Sequence, residues 1–175
     1  SFVNSLGIQT QIEFIINEVY DKTNNIFSLS LAKEQMTEDD TLLLEADLIF
    51  EERLIEMLLE DKRDSLALVD KFESWMDGTC IVVDQDDNIT DFIPGKLLQY
   101  REKEQYYKTV NIYKFGADFS KNVYVPFLEA YAKVMGNYEY YEAVIKLILL
   151  LDKNTMKAKR LQGELWYEID DIQDL

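Results

Sequence analysis

The stretch Leu42-Leu43-Leu44-Glu45-Ala46-Asp47-Leu48-Ile49-Phe50 decides how this chain is read. A continuous apolar run is the pattern of a buried central strand, and residues 42–47 end it on an aspartate. A second segment far along the chain repeats the theme: Trp166-Tyr167-Glu168-Ile169-Asp170-Asp171-Ile172-Gln173-Asp174-Leu175. Ligands of an α/β sheet gather at the carboxyl ends of its strands. Asp47 and Asp170, brought together there, make a suitable pair for a Mg2+ ion held between phosphates. The pattern points to phosphoryl or nucleotidyl transfer, although no Gly-rich phosphate loop occurs anywhere in the chain.

On either side of these runs, strand and helix signals alternate. Strands are expected at 12–17, 66–69, 110–113, 156–161 and 165–169, the last two joined by a tight turn at Gly163. Residues 79–83 and 89–93 flank Asp84-Gln85-Asp86-Asp87-Asn88 and read as a hairpin with an acidic turn. Helices are expected at 26–34, capped by Asn24 or Asn25, and at 51–60 with Leu54, Ile55, Leu58 and Leu59 on one face. Two more are expected: one from Ser120 to Met135, with Pro126 in its first turn or marking a kink and Gly136 ending it, and one over 138–151. Residues 99–107 read as a loop or short helix. With no repeat and no linker, the reading is a mixed α/β sheet in one domain spanning 1–175.

Composition narrows the chemistry. The net charge is -16, from 34 acidic and 18 basic residues. Such a surface repels nucleic acid and anionic membranes, which excludes both as main partners, and its usual role is solubility. The chain has no histidine. A Ser-His-Asp triad, a His-ligated zinc and a histidine base are therefore excluded, leaving carboxylates, lysine, tyrosine or a bound metal. The single cysteine, Cys80, lies in the apolar run Cys80-Ile81-Val82-Val83 and is expected to be buried and inert. The longest apolar run, 144–151, contains Lys146 and is too short to span a bilayer. No signal-peptide pattern opens the chain, so a cytoplasmic location is expected.

Four motifs then occur in order: Thr23-Asn24-Asn25-Ile26-Phe27-Ser28-Leu29, Leu43-Leu44-Glu45-Ala46-Asp47-Leu48-Ile49-Phe50-Glu51, Trp75-Met76-Asp77-Gly78-Thr79 and Trp166-Tyr167-Glu168-Ile169-Asp170. Together they resemble the nucleotidyltransferases related to CTP:phosphocholine cytidylyltransferase, including the cytidylyltransferases fused to phosphoenolpyruvate mutase. The resemblance covers about residues 12–175 and implies a Rossmann-like α/β/α sandwich. It implies Mg2+-dependent transfer of CMP from CTP to a phosphorylated small molecule such as phosphocholine or a phosphonate, with release of pyrophosphate. Alternatives are a sugar-phosphate nucleotidylyltransferase using another nucleoside triphosphate, and a non-catalytic binding domain on the same fold. The resemblance makes Asp47 and Asp170 the metal ligands, with Asp171 an alternative to Asp170. It places Asn24, Asn25 and Ser28 beside the nucleotide base and Trp75 and Asp77 beside the acceptor. The family's opening strand, Gly-rich basic loop and lysine have no match before Ile12, so two strand–helix units, about thirty residues each, are expected to be missing. The expectation is the C-terminal portion of a nucleotidyltransferase domain, incomplete and inactive alone, with homo-oligomerisation left open.

Several residues carry a plainer reading beside the functional one. From composition alone Asp47 reads as a strand-ending cap and Asp170 as a helix N-cap, and it is the resemblance that gives them a metal role. Trp75 with Tyr106, Tyr107 and Tyr113 would suit a quaternary ammonium by cation–π attraction, or simply fill the core. Asp84-x-Asp86-x-Asn88 starts like a calcium loop but has Ile89 where glycine is required and Gly95 where glutamate is. Lys157, Lys159 and Arg160 form a basic cluster that reads as a solvated strand face or a phosphate contact.

Overall fold

The structure, a computed structural model, describes residues 5–7, 9–74, 76, 78–151, 156–169 and 172. Its strands are β1 (Thr41–Leu44), β2 (Leu48–Phe50), β3 (Leu66–Lys71), β4 (Cys80–Val83), β5 (Ile89–Ile93), β6 (Tyr106–Phe115), β7 (Lys157–Arg160) and β8 (Trp166–Glu168). Its main helices are α1 (Asn25–Leu31), α2 (Lys33–Glu38), α3 (Arg53–Glu60), α4 (Val125–Met135) and α5 (Glu142–Leu150). A six-stranded sheet runs β5-β4-β6-β3-β7, with β1 also paired to β6. β7 is parallel to β3 and the other pairs are antiparallel. β2 and β8 form a separate antiparallel pair.

Side-chain alternation explains the layers. In β3, Ala67 and Val69 enter one apolar cluster with Ile26 of α1, Leu128 of α4 and Val144, Ile145 and Ile148 of α5. Leu66 and Leu68 enter the opposite cluster with Leu54 and Leu58 of α3. β6 divides likewise, Tyr113 and Phe115 to the first and Val110 and Ile112 to the second. Successive strand residues point to opposite faces, so a sheet covered on both sides needs an unbroken apolar run. Each fully buried leucine contributes about 1.5–3 kcal/mol.

The expected mixed α/β architecture is what the chain adopts, and the hairpin over β4 and β5 is present. Individual elements differ. Residues 42–47 are not a central strand: β1 lies beside only part of β6, its residues half-buried or exposed. The strands with paired neighbours on both sides are β3, β4 and β6. Residues 12–17 form no strand, and Ile12, Phe14 and Ile16 are exposed. The first helix stops at Ala32 (φ -94°) and restarts as α2, which brings Met36 into the same core as Ile26 and Leu29. Ser120 is not a cap: helical backbone starts at Ala117 after Gly116, and Ser120–Tyr124 form a π-helical turn leading into α4. Pro126 in the first turn and Gly136 (φ +87°) at the end follow expectation. The expected helix over 138–151 is confined to Glu142–Leu150. The last two strands make no hairpin; β7 joins the main sheet and β8 leaves it for β2, with Gly163 (φ +118°) between them. No helix among the described residues is long and apolar enough to cross a membrane.

Candidate active site

β1 and β4 share one edge of β6 and leave a gap between them. β4 occupies the first half, with Cys80 opposite Lys108, and β1 the second, with Leu44 opposite Ile112. In the gap the Thr109 N–H donates to the Thr79 carbonyl at 3.3 Å, and the Glu45 N–H donates to the Asn111 carbonyl at 3.3 Å. On the other edge of β6 the register slips: Ala67 pairs with Tyr113 but Val69 pairs with Thr109. β6 therefore bulges through Val110, Asn111 and Ile112 where β3 has only Leu68. Asn111 adopts φ +59°, a left-handed conformation that asparagine tolerates better than most residues.

Glu45 is the first residue past β1. The chain turns at Ala46 and Asp47 and enters β2, whose Leu48 pairs with Glu168 of β8. The Ile169 N–H donates to the Asp47 carbonyl at 2.9 Å, which extends that pairing to the turn. The result is an acidic cluster: one carboxylate oxygen from each of Glu45, Asp47 and Glu168 lies within 4.8 Å of the others. Asp47 is exposed, while Glu45 and Glu168 are half-buried. An octahedral Mg2+ with bonds of about 2.1 Å spreads its ligand oxygens over about 3–4 Å. The all-oxygen trio is thus close to the dimensions and chemistry of such a site.

Each half-buried carboxylate is held. The Tyr141 hydroxyl donates to Glu45 Oε1 at 2.9 Å. Asn111 Nδ2 donates to Glu168 Oε1 at 2.6 Å, and Lys108 Nζ lies 3.2 Å from Glu168 Oε2. Lys108 is 2 % exposed, and its ammonium also donates to the Thr109 carbonyl at 2.9 Å. Burial raises the Glu45 carboxyl above the ordinary glutamate range; the Tyr141 hydrogen bond opposes this, and the charges of Asp47 and Glu168 add to it. Glu142, at the first position of α5, is buried and pushed up to about 7, chiefly by desolvation and further by Glu45 and Glu168, with Lys108 opposing. Burial likewise pushes the Cys80 thiol up to about 11, so it is the inert core cysteine its apolar run implied.

Of the residues singled out by sequence, Asp47 stands in this cluster. Asp170, Asp171, Trp75 and Asp77 lie outside the described residues. Asn24 caps α1, its side chain accepting from the Asn25 N–H at 2.7 Å. Asn25 Oδ1 accepts the Tyr141 N–H at 3.0 Å, so Tyr141 connects Asn25 to Glu45. Ser28 Oγ accepts from Asn17 Nδ2 at 3.1 Å.

For the remaining residues the plainer readings prevail. The three tyrosines form no shared aromatic surface. Tyr113 and Tyr106 are buried in different clusters, and the Tyr107 ring already faces Lys71 at 4.8 Å and Arg160 at 5.1 Å. The Asp84 turn is closed by its own bonds, Asp84 Oδ1 accepting from the Asp86 and Asn88 N–H groups. The basic strand is paired within the chain: Lys159 with Asp61 at 3.0 Å, Arg160 with Asp87 at 3.2 Å and Lys157 with Asn88.

Sequence reasoning missed Glu45, Glu168, Lys108, Asn111 and Tyr141 as site residues. A signal for the glutamates exists: Glu45-Ala46-Asp47 and Glu168-Ile169-Asp170 share the spacing Glu-x-Asp. Lys108 was also visible as a lysine within the run entering a central strand.

No protein-family model matches the chain. It is 26% identical over 175 residues to the CMP-5'-(3-aminopropyl)phosphonate synthase of Streptomyces rubellomurinus, covering 94% of this chain and 26% of that protein. The chain thus spans about a quarter of the length of that curated relative. Among solved structures it resembles the CTP:phosphocholine cytidylyltransferase of Streptococcus pneumoniae, with TM-score 0.75 and 19% identity over 99% of this chain and 70% of that one. The inositol-1-phosphate CTP transferase of T. maritima gives TM-score 0.68 at 18% identity, covering 99% of this chain and 65% of that one. A putative glucose-1-phosphate thymidylyltransferase of Bacillus anthracis gives 0.58 at 14%, covering 85% and 56%. The chain therefore has the nucleotidyltransferase fold, and its likeness to cytidylyltransferases, read first from four short motifs, holds.

Proposed function

We propose that this chain acts as the C-terminal portion of a nucleotidyltransferase domain that uses CTP, transferring CMP to a phosphorylated or phosphonate small molecule. The observation that carries this reading is the convergence of Glu45, Asp47 and Glu168 from segments far apart in sequence, within a cytidylyltransferase-like fold. Asp47, Glu168 and Glu45 would hold Mg2+, joined by Asp170. The ion would offset the negative charge that develops on the phosphates during transfer. Tyr141, Asn111 and Lys108 fix the carboxylates before any ligand arrives. An acceptor phosphate is already ionised, so the absence of a histidine base is compatible with in-line attack on the α-phosphorus. Asn24, Asn25 and Ser28 would border the base and Trp75 and Asp77 the acceptor. The Asn25–Tyr141–Glu45 linkage supports the first assignment.

The test is calorimetric titration of CTP with Mg2+ and with EDTA, on wild type and Asp47→Ala. Metal-dependent binding that is lost in the variant is expected. Equal binding under all these conditions would refute the site. Pyrophosphate release by the longer protein, with CTP, UTP and dTTP against phosphocholine, 3-aminopropylphosphonate and a sugar 1-phosphate, then separates acceptor classes. CTP binding without release for any acceptor marks a non-catalytic binding domain.

A further inference from the structure

We propose that Asn111 is the positioning residue of the acidic site, joining the end of β1 to β8 and fixing Glu168 in place. The inference rests on the metal-site reading above and assigns a part of its assembly. Asn111 acts with both its backbone and its side chain. Its carbonyl accepts the N–H of Glu45, and its Nδ2 donates to Glu168 Oε1. Glu45 directly follows β1 of the main sheet and Glu168 ends β8 of the separate pair, and Asn111 is bonded to both residues.

The local backbone explains why an asparagine stands here. The bulge puts residue 111 at φ +59°, which asparagine and glycine accommodate and most other side chains do not. Glycine would satisfy the backbone and leave nothing to reach Glu168. The amide orientation is set by Glu168, whose carboxylate oxygens only accept, so Nδ2 faces it and Oδ1 turns toward the Thr109 hydroxyl 3.0 Å away. The reverse orientation would set a carbonyl oxygen against Glu168.

Lys108 completes the arrangement on the other oxygen of Glu168. It and Asn111 lie on the same strand, and both Glu168 oxygens are engaged by β6. Glu168 is therefore a fixed negative charge beside Asp47, the exposed carboxylate at the turn. Without the amide, Lys108 alone would draw Glu168 toward its buried ammonium.

Asn111→Gly separates the two roles of the residue, since it keeps the backbone conformation and removes the amide. Mn2+ binding by the full chain, followed by electron paramagnetic resonance at a temperature where circular dichroism shows the variant fully folded, should weaken at least tenfold in this variant. Asp47→Ala should abolish binding. Wild-type affinity in Asn111→Gly, with Asp47→Ala inactive, overturns the positioning role and leaves the metal site standing. Failure of wild type itself to bind Mn2+ refutes the metal site instead. An independent readout needs no metal: the side-chain amide protons of Asn111 should exchange slowly in wild-type 15N spectra, and faster in Glu168→Gln that keeps the wild-type backbone spectrum elsewhere. Exchange as fast as that of an exposed asparagine in wild type overturns the proposal.

Discussion

Glu142→Gln is the perturbation whose size follows most directly from the structure. The side chain is 8 % exposed at the first position of α5, and its Oε2 has no hydrogen-bond partner. An ordinary glutamate titrates at 4.5, and here burial, with Glu45 and Glu168 adding, moves the value to about 7. The folded protein thus binds this proton more tightly than the unfolded chain. Stability falls with rising pH wherever the folded state holds the extra proton, between about 4.5 and 7. A difference of about 2.5 pH units corresponds to about 3 kcal/mol, present in full below 4.5 and lost by the time pH exceeds 7. The amide of glutamine has the same shape and carries no charge, so the variant should not share this loss. The assay is urea unfolding of both proteins at intervals from pH 4.5 to 8, taking the difference in unfolding free energy. That difference should shift toward the variant by about 3 kcal/mol across the window and level off above it. A difference independent of pH would show that Glu142 is ionised throughout and that the buried-acid reasoning is wrong.

Three further outcomes test other parts of the molecule. Leu58→Ala removes a fully buried side chain from the cluster between α3 and the sheet, and should cost about 2–5 kcal/mol in chemical denaturation. Gly95→Ala would place a Cβ 2.7 Å from the Gly78 carbonyl oxygen, a backbone atom that cannot swing aside. It should lower stability by about 1–3 kcal/mol, and thermal melting reads it. Asp61 is held well below the usual carboxylate range first by Arg63, with Lys159 also bonded to it. Its contribution is present above the unfolded value of 3.8 and disappears as pH falls through the lower folded value. Asp61→Asn should therefore destabilise at pH 7 by about 1–3 kcal/mol and far less in acid, measured by denaturant titration at both pH values.

The layered architecture was legible because local pattern and global position agree in the buried elements. Leu66 to Val69 is apolar without interruption, and the sheet there is covered on both faces. Leu54 and Leu58 fall on one helical face and meet the sheet through it. The run at 42–47 looks the same in sequence yet forms an edge strand and a turn, because apolar density measures burial and says nothing of how many neighbours a strand has. The break at Ala32 and the π-helical turn at Ser120 were hidden for a related reason. No glycine or proline lies within either break, and Pro126, two residues past the turn at Ser120–Tyr124, reads in sequence as an ordinary first-turn proline.

The site itself was half legible, and the division has a physical cause. Asp47 was found because it follows an apolar run, a local signal. Glu168, Lys108 and Asn111 each have an ordinary reading in isolation: a charged residue near a strand end, a lysine in a strand, an asparagine among apolar residues. What unites them is non-local. β6 must bulge against β3, β1 and β4 must leave a gap along one edge, and β8 must quit the main sheet to pair with β2. None of these events has a sequence marker as strong as a glycine or a proline. The buried lysine is the exception, because desolvating an ammonium is costly unless a carboxylate stands beside it. A lysine in a strand whose other residues fill the core therefore already requires an acidic partner from elsewhere in the chain, and here that partner is Glu168.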